Sequence, residues 1–136
     1  MARKRVLDVT ADTTLSKNQS GSLVVLDKAA GLTVTLPEPG RGLEYDFVIK
    51  TSITHATSGY VITVPSTTTA SMRGCVVSGA HDGNPKNQAS SAAEKISTSS
   101  AKGGLVGSYY KLVCNNDGIW EVTGVAVGSG DTTVFA

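Results

Sequence analysis

Between Gly107 and Gly124 the chain reads Gly-Ser-Tyr-Tyr-Lys-Leu-Val-Cys-Asn-Asn-Asp-Gly-Ile-Trp-Glu-Val-Thr-Gly, two runs of alternating apolar and polar residues around an Asn-Asn-Asp-Gly turn. A period of two is that of a half-buried strand, and turn chemistry between two such runs predicts a β-hairpin. Tyr110, Leu112 and Cys114 then share one side of the first strand, while Trp120 and Val122 mark the packed side of the second. The only tryptophan of the chain anchors a core on this reading.

Similar patterns lie upstream. Residues 20–27 lead through Lys-Ala-Ala-Gly to Leu-Thr-Val-Thr-Leu-Pro at 32–37, and Glu-Pro-Gly-Arg-Gly then turns into an aromatic strand at 43–50 in which Tyr45 and Phe47 face the core. Tyr60, Ile62 and Val64 alternate before Pro65 stops the run, and residues 72–78 and 96–100 read as further strands. Residues 79–91 carry loop chemistry throughout and predict an exposed excursion bearing His81, Asp82, Asn84, Lys86 and Asn87. Only 17% of residues are charged and 5% aromatic, with Ser, Thr, Gly, Val and Ala abundant, a composition of short strands and turns. The expectation is a single all-β domain over residues 20–136, built as a sandwich, jelly roll or small barrel of about eight to ten short strands. Residues 1–19 precede it as a basic and apolar arm with a polar linker.

The net charge of +1 conceals an asymmetry, because Arg3, Lys4 and Arg5 supply three of the twelve positive charges and leave nine against eleven in the rest. A body of that balance exerts no general pull on a phosphate backbone, so nucleic acid is not an expected partner. Nor is a membrane: the first ten residues lack the apolar run of a signal peptide, and no stretch approaches a spanning length. Synthesis in a cytoplasm follows, where Cys75 and Cys114, in predicted strands, are expected to be buried free thiols.

No residue pattern predicts catalysis, a cofactor or a metal. His55 and His81 fall in predicted loops, no serine sits in a nucleophile elbow, and His81-Asp82 are chain neighbours whose side chains diverge in an extended segment. Asp8, Asp12, Glu38 and Glu44 read as solvated strand ends, since nothing in their spacing sets a pair across a cleft. Gly40-Arg41-Gly42 and Gly128-Ser129-Gly130 lack the third glycine and following helix of a dinucleotide loop. Arg3, Lys4 and Arg5 are either a solvated start or a tether; Val6, Leu7 and Val9 behind them form an apolar extended segment able to join another sheet.

One resemblance ties these segments together. Val25-Leu26-Asp27, Ala29-Ala30-Gly31, Thr33 to Pro37 and Pro39, followed by Tyr45 and Phe47 and closed by Trp120, Val122, Thr123 and Gly124, resemble the small decoration, or cement, proteins of tailed-bacteriophage capsids, over residues 17–136. The resemblance implies a non-enzymatic homotrimer on the outer surface of the virion. It would bind the major capsid protein, cement neighbouring capsomers and stabilise the expanded shell. Arg3, Lys4, Arg5, Val6, Leu7 and Val9 are the candidate capsid or subunit contacts, with the excursion beside them. Related patterns in tail fibres and spikes leave an alternative: a trimeric receptor-binding module for a host-surface glycan. The core is expected to rest on Tyr45, Phe47, Tyr110, Leu112, Trp120 and Val122.

Overall fold

The computed structural model describes residues 3–66, 71–80, 86–130 and 133–136. Among these residues the protein is all-β, with a single turn of 3-10 helix at Lys17–Gln19. The strands are β1 (Val6–Val9), β2 (Thr13–Thr14), β3 (Ser22–Leu26), β4 (Thr33–Thr35), β5 (Glu44–Ile49), β6 (Val61–Thr63), β7 (Met72–Ala80), β8 (Lys86–Ala93), β9 (Lys95–Ser97), β10 (Tyr109–Cys114) and β11 (Trp120–Gly128). Eleven described strands exceed the eight to ten expected, because the segment read as an arm and the segment read as an excursion each contribute pairing residues.

The chain winds before it folds back. β1, β3 and β5 belong to a seven-stranded sheet, and β2, β4 and β6 to a four-stranded one, so the first half of the chain alternates between the two. Each passage through the opposite sheet returns the chain in the same direction, which makes β1–β3, β3–β5, β2–β4 and β4–β6 parallel pairs. A jelly roll is assembled from antiparallel Greek keys, and this parallel winding is a different route to two sheets. The order in the large sheet is β1-β3-β5-β10-β11-β7-β8, so the late hairpin β10–β11 is inserted between β5 and β7. It pairs antiparallel with β5 and parallel with β7.

The hairpin turn has a local cause. Asn115 Oδ1 accepts the backbone N–H groups of Asp117 at 2.9 Å and Ile119 at 3.1 Å, and Gly118 takes a φ of +75°. Asn115 Nδ2 also donates to Glu121 Oε1 at 3.0 Å, tying the turn to the strand that follows it.

Both sheets turn their alternate residues into one core. Tyr45, Phe47, Tyr110, Leu112, Trp120 and Val122 are all buried, and they meet Leu26, Val34, Leu36, Ile62 and Ile96 from the neighbouring strands and the opposite sheet. Tyr45 and Trp120 lie with ring centroids 6.0 Å apart at a tilt of 43°, and each such side chain removed from water contributes about 2 to 3 kcal/mol. Gly74 is required where β7 runs beside β11: its φ is +147°, and a Cβ there would lie 2.0 Å from the Val122 carbonyl oxygen.

Residues 3–19 are not a free arm. The apolar alternation of β1 is satisfied within the molecule by parallel pairing from Val6 with Leu23 to Val9 with Leu26. Val9 and Leu15 are core residues, 4% and 2% exposed. The polar stretch after β1 crosses to the small sheet, where Asp12 Oδ1 accepts the Thr33 N–H at 2.8 Å. Residues 86–91, read as part of the exposed excursion, join Ala92 and Ala93 in β8 against β7, with Asn87 opposite Val77. Pairing with the long strand β7 outweighs the turn-like composition of β8, and its small Ser and Ala residues suit an edge strand. At the other edge of the small sheet, backbone hydrogen bonds join Val134 and Ala136 to β9, and Phe135 bridges Ile96.

Tyr60, at the entrance to β6, locks successive turns of the winding together. Its hydroxyl donates to the Thr51 carbonyl at 2.6 Å and accepts the Lys28 N–H at 2.9 Å. Tyr60→Phe leaves that N–H and that carbonyl facing a buried ring edge, and urea denaturation is expected to show a loss of about 1 to 3 kcal/mol with the slope unchanged. A loss below a few tenths would show that the winding does not depend on this hydroxyl.

Candidate functional site: an apolar sheet face

A strand with one face in the core shows its other face outward, and polar residues are expected there. The small sheet follows this rule. Thr33, Thr35, Thr63, Lys95 and Ser97 occupy its outward positions, with Val61 the only large apolar residue among them.

The large sheet does not. The strand registers place Asp8, Val25, Val48, Tyr109, Val125, Val77 and Asn87 side by side in a single row crossing all seven strands. Five consecutive members are apolar or aromatic, and the polar residues stand at the two edges. Val77, Val125 and Tyr109 are 44%, 42% and 36% exposed, and Val25 and Val48 are half-buried by their neighbours. Four of the five large apolar side chains that are exposed among the described residues, Val6, Val77, Tyr109 and Val125, belong to this face.

The adjacent row runs Val6, Leu23, Asp46, Lys111, Thr123, Cys75 and Ala89. Asp46 is only 4% exposed although it points to the outer face. Lys4 reaches across β3 to form an ion pair with its Oδ2, and the Tyr109 hydroxyl donates to its Oδ1 at 2.8 Å. Burial acts most strongly on this carboxyl and pushes its pKa up. The hydrogen bonds from Lys4 and Tyr109 and the charges of Lys4 and Lys111 together outweigh it, so the net displacement is downward. Tyr109 is pushed up to about 12, first by burial and then by its bond to the Asp46 carboxylate, and keeps the proton it donates. Further along, Arg73 pairs with Glu121 at 2.6 Å, which lowers the Glu121 pKa. Two charge pairs of the face are thus closed inside the chain, while Lys111 and Glu44, of opposite sign, stand on the same face outside them.

The candidate contacts are dispersed by the fold. Lys4 is committed to Asp46, and Arg5 donates to the Asn18 carbonyl at 3.2 Å. Arg3 is exposed, Val6 stands exposed at the β1 edge of the large sheet, Leu7 packs against the core and Val9 is inside it. Asn87 is exposed at the far end of the apolar row, and the backbone of Lys86 begins β8. His81, Asp82 and Asn84 lie outside the described residues. Cys114 is buried as expected, but Cys75 is exposed, because it shares the outward parity of Val77 on β7. Among the described residues, no three His, Cys, Asp or Glu side chains gather into a metal-binding group.

The sequence reading missed the apolar row, although it leaves a trace. Val24-Val25, Phe47-Val48, Val76-Val77, Tyr109-Tyr110 and Val125-Ala126 are apolar doublets that break strict alternation. A doublet puts one apolar side chain on each face of a strand, the signature of a strand covered on both sides. No known protein family matches the chain, and neither a curated protein nor a solved structure does.

The Asp46 network has a definite pH dependence. Because the folded pKa lies below the unfolded one, ionised Asp46 contributes stability that is fully present above about pH 4 to 5 and is lost as pH falls through the folded value. Lys4 is half exposed, so screening keeps the contribution to about 1 kcal/mol. Asp46→Asn is expected to destabilise the protein near pH 7, and the gap from wild type should close in the acid range. A gap independent of pH would assign Asp46 a packing role alone.

Proposed function

We propose that this protein is a structural virion component: a capsid decoration protein that binds the outside of a tailed-phage shell and cements neighbouring capsomers. The observation that carries the reading is the contrast between the two outer faces of one β body. One face is threonine-rich and water-compatible, and the other offers an apolar row flanked by the ion pairs Lys4–Asp46 and Arg73–Glu121. Such a face suits burial within an assembly, and a trimer that buries it meets the shell with its remaining surfaces. The resemblance of residues 17–136 to decoration proteins supplies the partner, the major capsid protein, and the trimeric state.

The mechanism is multivalent clamping. Each copy makes a modest contact, and linkage within a trimer makes the second and third contacts effectively intramolecular. A ligand that engages only the expanded shell stabilises that shell by mass action. No catalytic step belongs to this reading.

The test is co-sedimentation with empty, expanded shells of the phage that encodes the chain. Saturable binding at a stoichiometry matching three-fold positions is expected. If no protein pellets with shells at any ionic strength, the decoration reading falls, and binding to purified host glycans would favour a tail-fibre module in its place.

A further inference from the structure

We propose that the outer face of the seven-stranded sheet is a self-association surface, with the row Val25, Val48, Tyr109, Val125 and Val77 buried against the same face of other copies of this chain. The inference rests on the reading above only for the number of copies; the surface itself follows from geometry and charge.

Three features point to a second copy as the occupant. The first is composition across the row. Apolar side chains fill the middle and Asp8 and Asn87 stand at the edges, the arrangement of an interface with a dry centre and a wet rim. The second is charge. Identical faces repel when they carry an excess of one charge, and here Lys4 with Asp46 and Arg73 with Glu121 cancel within each chain while Lys111 and Glu44 on the same face are of opposite sign. The apolar row itself carries no formal charge between its ends, so it offers nothing to recognise a strongly charged partner.

The third feature is area. Strands about 4.8 Å apart and about six residues long make a seven-stranded face of about 600 Å² in projection. That approaches the 800 Å² or so that each partner gives to a standard interface. The row alone is too small for a stable contact, and the whole face comes close to the standard size. Val127, which projects from the same side of β11, extends the apolar surface beyond the row. Three copies turned toward a common axis would each present this face to two neighbours, and a pair would present it once.

The experiment is light scattering over a range of concentrations on wild type, Val125→Glu and Val77→Glu, with Thr35→Lys on the threonine face as the control. Circular dichroism checks that each variant keeps its sheet signal. Wild type is expected to run as an oligomer that Thr35→Lys leaves intact. A carboxylate buried without a partner should weaken association by more than about a hundredfold, so both glutamate variants should become monomers. Val77→Glu keeps the test open if Val125→Glu fails to fold. A wild type that stays monomeric at every concentration overturns the proposal, as does an oligomer that survives both glutamates. A dimer dissolved by the glutamates upholds the surface and removes the trimer from the proposed function. Co-sedimentation with shells is scored separately, so an oligomer that ignores shells counts against decoration and leaves the interface standing.

Discussion

The structure depends on a hairpin that arrives late in the chain. β10 and β11 fill the gap between β5, which ends the parallel winding, and β7, which begins the edge hairpin. Without them the large sheet would be two unconnected pieces, one of three strands and one of two, each with an unsatisfied edge. The hairpin also carries the deepest part of the core: Tyr110, Leu112, Cys114, Trp120 and Val122 point inward from it. One element therefore satisfies backbone groups on two neighbours and fills the space beneath them. Its turn is held by Asn115 through local hydrogen bonds that need no other strand.

What was legible in the sequence was what local physics decides. The alternation around Asn115 to Gly118, the core positions Tyr45, Phe47, Trp120 and Val122, and the all-β class all follow from a period of two and from turn residues. Pairing partners do not. Nothing in Val6 to Val9 says that its neighbour is β3 of its own sheet, so an integral edge strand reads as a free arm. The Lys-Asn-Gln-Ala-Ser-Ser-Ala-Ala run of β8 has weak strand propensity and is held by β7. The apolar row was hidden for a related reason, because its five members are far apart in sequence and only the registers bring them into line.

The two outer faces connect fold to function. A β body that met water on both sides would carry threonines and charges on both, as the small sheet does. The large sheet pairs Lys4 with Asp46 and Arg73 with Glu121 internally, and places valines and a tyrosine between polar edges. Tyr109 belongs to both arrangements: its ring stands in the apolar row while its hydroxyl holds Asp46. The middle of the row loses little on leaving water, since no charge lies among Val25, Val48, Tyr109, Val125 and Val77. Association of modest strength repeated over several copies is the use proposed for such a face, and the proposed clamping on a lattice would draw on the resulting multivalency.

Cys75 gives a direct measurement of whether the face is covered. It is exposed one row from the apolar stripe, with Thr123 and Ala89 beside it, whereas Cys114 is buried and its thiol is pushed up by burial. The rate of alkylation at each thiol, followed by mass spectrometry across a dilution series of native protein, reads the two sites separately. Rapid modification of Cys75 in dilute protein, strong protection at high concentration and a silent Cys114 throughout are predicted. A Cys75 that reacts at one rate at every concentration would contradict the assignment of this face to assembly.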